Sequence, residues 1–449
     1  MCSCKTWKNS IFRHCPPPTS LILRANWSFQ RQAIANGTRQ PTSNYSLKSS
    51  TAMNRYPFLA LSLLLVAGCS VQKTNETATV IAMDSPAKEG SGEPYLFTDE
   101  KGKVYLSWLE KMEGHQAFKY SSLAVGKWSE PILIDSGKNW FVNWADYPMI
   151  ASSGKDLLAH YLEKNGEGTY SYNVKVTSSP DHGKTWKAPI TLHDDGKEAE
   201  HGFVSMLPYQ EHFFFAWLDG RNTVAEGMEN HDGHQGPMSL RAAIVDKEGN
   251  KIKEWELDDR TCDCCQTSAA LTESGPVVVY RDRSEGEIRD MSIVRFVNNA
   301  WTKPEEIHHD NWKIAGCPVN GPRVVANGNF LAIAWYTVSE GRSKVSVIFS
   351  QDGGKSFGHP VQVDEGRAIG RVDIVMLEDE SIMVSWMEGT TIKAAKVHAD
   401  GTKDSSLTIA SSSEARSSGF PQMTKSGNEL FFAWTDDKDN VVKVAKLTL

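Results

Sequence analysis

The densest group of reactive side chains in the sequence is a set of cysteines. Cys262, Cys264 and Cys265 lie within four residues, and Cys317 stands alone further along the chain. Thiolates bind zinc or copper, and imidazoles complete such sites in many proteins, so a copper or zinc site is one interpretation. The candidate histidine ligands are His201, His231 and His234. The alternative is a disulfide formed in an oxidising compartment, Cys265–Cys317 or Cys264–Cys317.

A second group of side chains suits an acidic ligand. The guanidinium group is a planar fork of donors that matches a carboxylate, so clustered arginines favour an acidic sugar or another small acidic ligand. The candidates are Arg221, Arg281, Arg283 and Arg371. In the alternative interpretation these arginines pair with nearby carboxylates and hold loops together. Those carboxylates are Asp219, Asp282 and Asp373.

These residues stand in the loops of a repeated strand pattern. A short apolar strand that ends near an aromatic residue recurs seven times, at spacings of 48 to 63 residues. The marker aromatics are Trp108, Tyr161, Trp217, Tyr280, Trp335, Trp386 and Trp434. Each copy has an inner strand before the marker and further strands after it, which is typical of a propeller blade. The sequence therefore predicts an all-β, seven-bladed β-propeller.

The last repeat lacks one strand, and this predicts how the ring closes. After Trp434 only the strand-like segment 441–449 remains. A further strand-like segment, Thr77–Met83, precedes the first blade. We expect this N-terminal segment to pair with the C-terminal strand, which also covers an exposed sheet edge.

The topology of a propeller predicts where the site lies. The loops before the inner strands and the loops after the second strands share one face around the central channel, which we call the mouth face. The cysteines, histidines and arginines named above fall in these loops. The loops differ from one another although the strands around them repeat, so we expect the functional site on the mouth face.

Two turns carry the pattern Ser-x-Asp-x-Gly-x-Thr/Ser-aromatic. Its Asp caps backbone amides, its Gly permits a positive φ, and its aromatic residue packs between blades. The pattern residues are Ser179, Asp181, Gly183, Trp186, Ser350, Asp352, Gly354 and Phe357. These turns resemble the Asp-boxes (BNR repeats) of the sialidase-like propeller family, and the resemblance covers residues 77–449. The Cys-x-Cys-Cys motif is similar to that of a bacterial lipoprotein branch of this family.

The resemblance implies that the mouth face binds a glycan and hydrolyses it as an exo-sialidase-like glycoside hydrolase. In that family three arginines bind the substrate carboxylate, a Tyr is the nucleophile and an Asp is the acid. Asp146 would then be the acid. The nucleophile candidates are Tyr147, Tyr280 and Tyr336. The chain departs from the family because no arginine lies between Cys69 and Arg221, where the first-blade arginine belongs.

Three functions therefore stay open at the level of the sequence. The first is a glycan-binding or glycan-hydrolysing propeller, the second a non-enzymatic binding or scaffold lipoprotein, and the third a Cys/His protein that binds copper or zinc. Familiar sialidases have six blades, so a six-bladed sialidase-type propeller is the alternative fold.

A targeting signal precedes the propeller. Residues 53–68 combine a positive start, a mostly apolar run and small residues before Cys69, which is typical of a lipoprotein signal peptide. The run is shorter than the roughly 20 residues that span a bilayer. Ser70 follows the lipidated Cys69 in place of the acidic residue that retains lipoproteins at the inner membrane, so we expect the outer membrane, on its periplasmic or outer side. The remaining segments are interpreted as a start-site artefact (1–52), a tether with the closing strand (69–92) and the propeller (93–449).

The charge distribution narrows the range of partners. The chain of 449 residues has 48 Lys+Arg and 55 Asp+Glu, a net charge of -7. Residues 1–68 hold eight of the basic residues and no acidic ones, which leaves 40 against 55, or -15, for residues 69–449. An acidic body excludes nucleic acid as an expected partner. We expect a monomer that meets a membrane only through its lipid anchor.

Overall fold

The computed structural model describes residues 79–223 and 236–449, and β-strands dominate both ranges. In chain order the strands are β1 (Val80–Met83), β2 (Ser91–Thr98), β3 (Val104–Met112), β4 (His115–Ala124), β5 (Lys127–Trp128), β6 (Ile132–Gly137), β7 (Met149–Ser153), β8 (Asp156–Lys164), β9 (Tyr172–Ser179), β10 (Ile190–Thr191), β11 (His201–Tyr209), β12 (His212–Asp219), β13 (Met238–Val245), β14 (Lys251–Thr261), β15 (Ser268–Thr272), β16 (Gly275–Arg281), β17 (Met291–Val297), β18 (Ala300–Trp301), β19 (Glu305–His308), β20 (Arg323–Asn327), β21 (Phe330–Ser339), β22 (Arg342–Ser350), β23 (Val361–Gln362), β24 (Ala368–Met376), β25 (Ile382–Glu388), β26 (Thr391–Val397), β27 (Leu407–Ser411), β28 (Gln422–Ser426), β29 (Glu429–Asp436) and β30 (Val441–Thr448). A 3-10 turn, Arg416–Ser418, is the one helical element of these ranges. Within the same ranges, no helix has the length and apolar character needed to cross a membrane.

The strands form seven antiparallel sheets, one for each predicted blade. From the inner to the outer strand the blades are β2-β3-β4 with β5 and β6, β7-β8-β9-β10, β11-β12-β13-β14, β15-β16-β17 with β18 and β19, β20-β21-β22-β23, β24-β25-β26-β27, and β28-β29-β30-β1. The prediction of a seven-bladed propeller is confirmed, and the six-bladed alternative is wrong.

The seventh blade joins the two ends of the propeller, as the missing strand predicted. β1 pairs antiparallel with β30, from Val80 opposite Leu447 to Met83 opposite Val444. Of the predicted segment Thr77–Met83, residues 80–83 form the strand, and residues 77–78 lie outside the described residues. The ring is therefore held shut by hydrogen bonds between its first strand and its last.

The marker aromatics lie buried on the second strand of each blade. Their polar atoms recurrently donate to carboxylates: Trp108 Nε1 to Glu110 (3.3 Å), Trp217 Nε1 to Asp219 (2.9 Å) and Trp386 Nε1 to Glu388 (2.7 Å). A buried indole N–H without an acceptor would be costly, so an acid two residues after the tryptophan stabilises the packed ring. The apolar marker and this acid form one repeated unit.

The two Asp-box turns have the predicted geometry. The Gly183 amide donates to Ser179 Oγ at 2.8 Å, and Asp181 accepts from the Thr185 amide at 2.9 Å. Hydrogen bonds from Thr185 lower the pKa of Asp181 to about 2. Trp186 packs edge-on against Tyr120 of the first blade at 6.2 Å between ring centroids. In the second box Gly354 and Ser356 repeat these bonds to Ser350 and Asp352. Both turns join third to fourth strands, on the face opposite the mouth face.

Bulges at the start of the inner strands shape the mouth face. The pairing register shifts between Gly92 and Tyr95, between Gly202 and Ser205, and between Gly370 and Asp373. A Cβ on Gly202 would lie 2.1 Å from Asp146 Oδ2, so only glycine leaves room for that carboxylate. The bulge thus lets a side chain of the second blade lie against the third.

Candidate functional site

The four cysteines of the propeller converge on the mouth face. Cys262, Cys264 and Cys265 occupy the loop between β14 and β15, and Cys317 occupies the loop between β19 and β20. Cys262 Sγ lies 3.8 Å from Cys264 Sγ and 3.5 Å from Cys265 Sγ, and the sulfurs of Cys264 and Cys317 lie within 4.8 Å of each other. Within the described ranges none of these thiols is in a disulfide. Loops of two neighbouring blades therefore bring four thiols together without a disulfide between any of them.

Backbone hydrogen bonds fix the cysteine loop from both sides. The Cys262 amide donates to the carbonyl of Arg281 at 3.1 Å, which ties the loop to the second strand of its own blade. The Asn320 amide donates to Cys265 Sγ at 3.4 Å, which ties it to the next blade. The cluster is thus held by ordered β-structure on each side.

The charge around the cluster favours a thiolate. Arg289 Nη1 donates to Cys262 Sγ at 3.1 Å and lies 3.3 Å from Asp263 Oδ1. Burial opposes ionisation, yet hydrogen bonds from Cys264 and Cys265 and the charge of Arg289 hold the pKa of Cys262 well below its usual value. Burial raises the pKa of Cys265 to about 12. Cys262 is therefore the thiol that ionises most readily.

The cluster is closed on one side and open on the other. Cys262 and Cys265 are buried, Cys264 is partly buried and Cys317 is exposed. One ligand atom each of Asp263, Cys264 and Cys317 lies within 4.8 Å of the others, as do those of the three clustered cysteines. An ion can therefore reach the buried thiols from the side of Cys317.

The predicted histidine ligands do not complete the cluster. His201 Nδ1 lies 3.1 Å from the carbonyl of Tyr172, and its Nε2 lies 3.0 Å from Asp195 Oδ2. Its ring stacks on His193 at 3.5 Å between centroids. The expectation that His201 joins the cysteines is wrong, because backbone carbonyls and Asp195 orient it into a separate His/Asp group. His231 and His234 lie outside the described residues.

The four predicted arginines are all bound by other groups of the protein. Arg221 forms a bidentate pair with Asp219 (2.7 and 2.8 Å), as the alternative interpretation predicted, and Arg283 pairs with Glu287 at 2.8 Å. Arg281 donates four hydrogen bonds to the carbonyls of Arg289, Asn320 and Tyr336. Arg371 donates to Ser418 and to the carbonyls of Glu414, Ala415 and Gly419. The alternative interpretation thus holds for Arg221, whereas the guanidiniums of Arg281 and Arg371 donate to backbone carbonyls and not to Asp282 or Asp373.

Asp146 lies in a buried group with a tyrosine that the sequence did not single out. The Tyr172 hydroxyl donates to Glu200 Oε1 at 2.8 Å and lies 3.4 Å from Asp146 Oδ2. Burial raises the pKa of Asp146 to about 7 and that of Glu200 to about 8. Two carboxyls of raised pKa and a phenol thus meet beneath the mouth face, a set of groups suited to general acid chemistry.

The predicted nucleophile tyrosines lie elsewhere. Tyr147 stacks on Tyr95 at 6.2 Å between ring centroids, and Tyr336 packs edge-on against Trp312 at 5.8 Å. The Tyr280 hydroxyl donates to Asp258 at 2.5 Å. One signal in the sequence could have identified the actual group: Tyr172 begins a third strand and Glu200 precedes an inner strand, so both stand where the blade pattern reaches the mouth face.

Comparisons with known proteins identify a family for the chain. The chain matches the BNR repeat-like domain over residues 111–432. It is similar in structure to the NanB sialidase of Streptococcus pneumoniae, at 11% identity and a TM-score of 0.44, with 83% of this chain and 94% of that chain covered. It is also similar to the Penicillium chrysogenum alpha-L-arabinanase complexed with arabinobiose, at 11% identity and a TM-score of 0.45, with 83% and 97% covered. No curated protein matches the sequence.

Proposed function

The chain belongs to the BNR repeat-like family, and we propose that its propeller binds a thiophilic metal ion, zinc or copper(I), in the four-cysteine cluster of the mouth face. The observation that carries the proposal is the spacing of 3.5 and 3.8 Å between the sulfur of Cys262 and those of Cys265 and Cys264. Zinc–sulfur bonds of about 2.3 Å in a tetrahedron put neighbouring sulfurs about 3.8 Å apart. The two distances from Cys262 are close to this value, and Cys317 lies within 4.8 Å of Cys264.

A disulfide explains this geometry less well. Bonded sulfurs lie about 2.05 Å apart, far closer than the sulfurs of this cluster. A disulfide also carries no charge, whereas the guanidinium of Arg289 beside Cys262 stabilises a thiolate. Cys264, the partly buried member, touches thiols of both blades, so a single ion there would join the fourth blade to the fifth.

Elemental analysis of the full chain, purified without chelators, tests the proposal. We expect one zinc or copper ion per chain. Cys265→Ser and Cys317→Ser should each reduce the bound metal, Cys265→Ser more strongly because its thiol is buried. His193→Asn is the matched control, because it removes a ligand from the neighbouring His/Asp group while leaving all four thiols, and it should retain the ion.

Two results would contradict a metal site. The first is protein that retains neither zinc nor copper after purification and reconstitution. The second is peptide mapping that finds Cys264 or Cys265 bonded to Cys317 in protein isolated under non-reducing conditions.

A second candidate function is the binding or hydrolysis of a glycan on the same face, and the Tyr172 group supports it. Glycoside hydrolases use a carboxyl of raised pKa as general acid, and burial raises the pKa of Asp146 to about 7 and that of Glu200 to about 8. Trp144 lies nearby and is partly exposed; it stacks on Phe420 at 5.5 Å, the guanidinium carbon of Arg371 lies 5.2 Å from its ring centroid, and the exposed part of the ring is an aromatic surface of the kind that packs against sugar rings.

A glycan array probed with the full chain tests this second function. Trp144→Ala should abolish binding, whereas Trp255→Ala on an outer strand should not. Asp146→Asn should retain binding and lose the release of sugar from any glycan that is cleaved. An array on which the wild-type protein binds no glycan excludes this function and does not bear on the proposed metal site.

We also propose that the protein is exported and anchored by a lipid on Cys69 to the outer membrane. The order of charge, apolar run and small residues before this cysteine supports the proposal, although Cys69 lies outside the described residues. Labelling of growing bacteria with an alkyne fatty acid should mark the wild-type protein. Cys69→Ser should be unlabelled, and equal labelling of both would exclude the anchor.

A further inference from the structure

The central channel contains a cavity that neither the cysteines nor the Tyr172 group use. Its volume is about 250 Å³, and inner-strand residues of all seven blades line it. Most of the polar side chains along it have partners, for example Thr98, whose hydroxyl is hydrogen-bonded to Thr424 at 2.7 Å. Arg323 and Tyr95 differ from these residues.

Arg323 is a buried arginine whose donors are unused. Its side chain is 11% exposed, and its guanidinium makes no hydrogen bond to any group in the described ranges. Its Nε lies 3.4 Å from Asp373 Oδ1, and its guanidinium carbon lies 5.6 Å from the Tyr147 ring centroid. The terminal Nη1 and Nη2 atoms are therefore left to face the cavity.

Two other buried arginines of the mouth face show how unusual this is. Arg281 donates four hydrogen bonds to carbonyl oxygens, and Arg371 also donates four. Both side chains are satisfied by the protein itself, as buried polar groups generally are. Arg323 has only the ion pair with Asp373 and no hydrogen bond among the described residues, so its terminal nitrogens can donate to a ligand or to solvent in the cavity.

Asp373 neutralises the positive charge of Arg323 only in part. Its carboxylate already accepts from the amides of Ile374 at 2.9 Å and Met423 at 2.6 Å. Tyr95 lines the same cavity, and its hydroxyl makes no hydrogen bond within the described residues. Burial raises the pKa of Tyr95 to about 12, so its hydroxyl stays a donor. The donors of a guanidinium and of a phenol are thus both available to one ligand in the cavity.

We propose that the channel cavity binds a small carboxylate anion, held by the Nη atoms of Arg323 and the hydroxyl of Tyr95. A planar guanidinium matches a planar carboxylate with two parallel hydrogen bonds. The nearby Asp373 offsets part of the positive charge, which favours a singly charged carboxylate over a doubly charged phosphate. The volume of about 250 Å³ lies below the roughly 300–1,000 Å³ of pockets for drug-sized ligands, so the guest is small.

Calorimetric titration of the full chain with pyruvate, lactate and glucuronate tests the proposal. We expect saturable binding of at least one of these acids and none of the corresponding neutral amide. Arg323→Met should weaken binding by about tenfold or more, since it removes a charge-assisted bidentate contact. Tyr95→Phe should weaken it by a smaller factor. Because no cysteine takes part, loss of the metal ion would leave carboxylate binding intact.

Thermal unfolding without ligand distinguishes an arginine that binds a ligand from one that stabilises the fold. Arg323→Met should lower the unfolding temperature less than Arg281→Met does, because it removes one ion pair with Asp373 and no hydrogen bond of the guanidinium. Arg281→Met is the matched comparison and should unfold at a clearly lower temperature, because three carbonyls lose their donor. The proposal is overturned if none of the three acids binds, if Arg323→Met binds as the wild type does, or if it is destabilised as much as Arg281→Met.

Discussion

Arg289 Nη1 lies 3.1 Å from Cys262 Sγ, and both residues are buried. An arginine stays protonated at any pH that proteins experience, so this contact places a permanent positive charge beside one thiol of the cluster. The other side of the guanidinium is held by Glu287 at 2.9 Å, which fixes its orientation. This contact therefore favours the thiolate form of Cys262.

Removing this charge should raise the pKa of Cys262. We expect the alkylation of Cys262 in metal-free Arg289→Met to require a pH higher by about one unit or more, since a neighbouring opposite charge commonly shifts a pKa by 1–3 units. Site-resolved mass spectrometry after iodoacetamide treatment at a series of pH values measures the shift. Arg295→Met, which removes a partly buried arginine paired with Glu305, is the control and should leave the profile unchanged. An unchanged profile in Arg289→Met would contradict the assignment.

The carboxyls of the Tyr172 group predict a pH dependence of stability. Burial raises the pKa of Asp146 to about 7 and of Glu200 to about 8, whereas the unfolded chain titrates near 4. The folded protein thus holds protons that the unfolded chain has released, so the free energy of unfolding should fall as the pH rises from about 4 to about 8. Urea unfolding of metal-free protein across this range measures it.

Neutral replacements should flatten this dependence. Asp146→Asn and Glu200→Gln each remove a group that must be buried without its charge, so each should be less sensitive to pH than the wild type. Glu113→Gln, on an exposed turn, is the control for loss of one carboxylate and should keep the wild-type profile. Equal slopes in all four proteins would show that these carboxyls are ionised in the folded state.

The bulge at Gly202 should tolerate no side chain. A Cβ there would lie 2.1 Å from Asp146 Oδ2 and 2.9 Å from the Tyr172 ring. We expect Gly202→Ala to lower the free energy of unfolding by roughly 1–3 kcal/mol, the usual cost of overpacking. Gly286→Ala, whose new Cβ would meet only Ser284 at 3.7 Å, should change it little. Urea unfolding compares the two variants, and equal stability would contradict the close approach.

The closing strand should be required for a stable ring. A chain that starts at Asp84 lacks β1, and its last sheet then ends in the unpaired edge of β30. Four residues of β1 are paired with β30, and a backbone hydrogen bond contributes about 1 kcal/mol, so the loss should be a few kcal/mol. A chain that starts at Thr79 is the control. Calorimetric unfolding temperatures that do not differ would contradict closure by β1.

The features that repeat were predictable from the sequence, and the features that occur once were not. Apolar strands and turn residues recur seven times, and their period fixed the blades, the closure and the Asp-box turns. Arg281 and Arg371 were misassigned because their acceptors are backbone carbonyls of distant loops, which leave no trace in residue type. Tyr172 and Glu200 were missed because their contact joins two blades and belongs to no motif. The His201 prediction failed because loops that share one face of the propeller need not point toward the same site.

The pairing of β1 with β30 also sets the order of events during biosynthesis. β1 is the first strand of the propeller to leave the ribosome and β30 is the last, so the first strand must wait for the whole chain before its partner exists. A chain that ends before β30 therefore leaves β1 without its partner strand and the seventh blade incomplete.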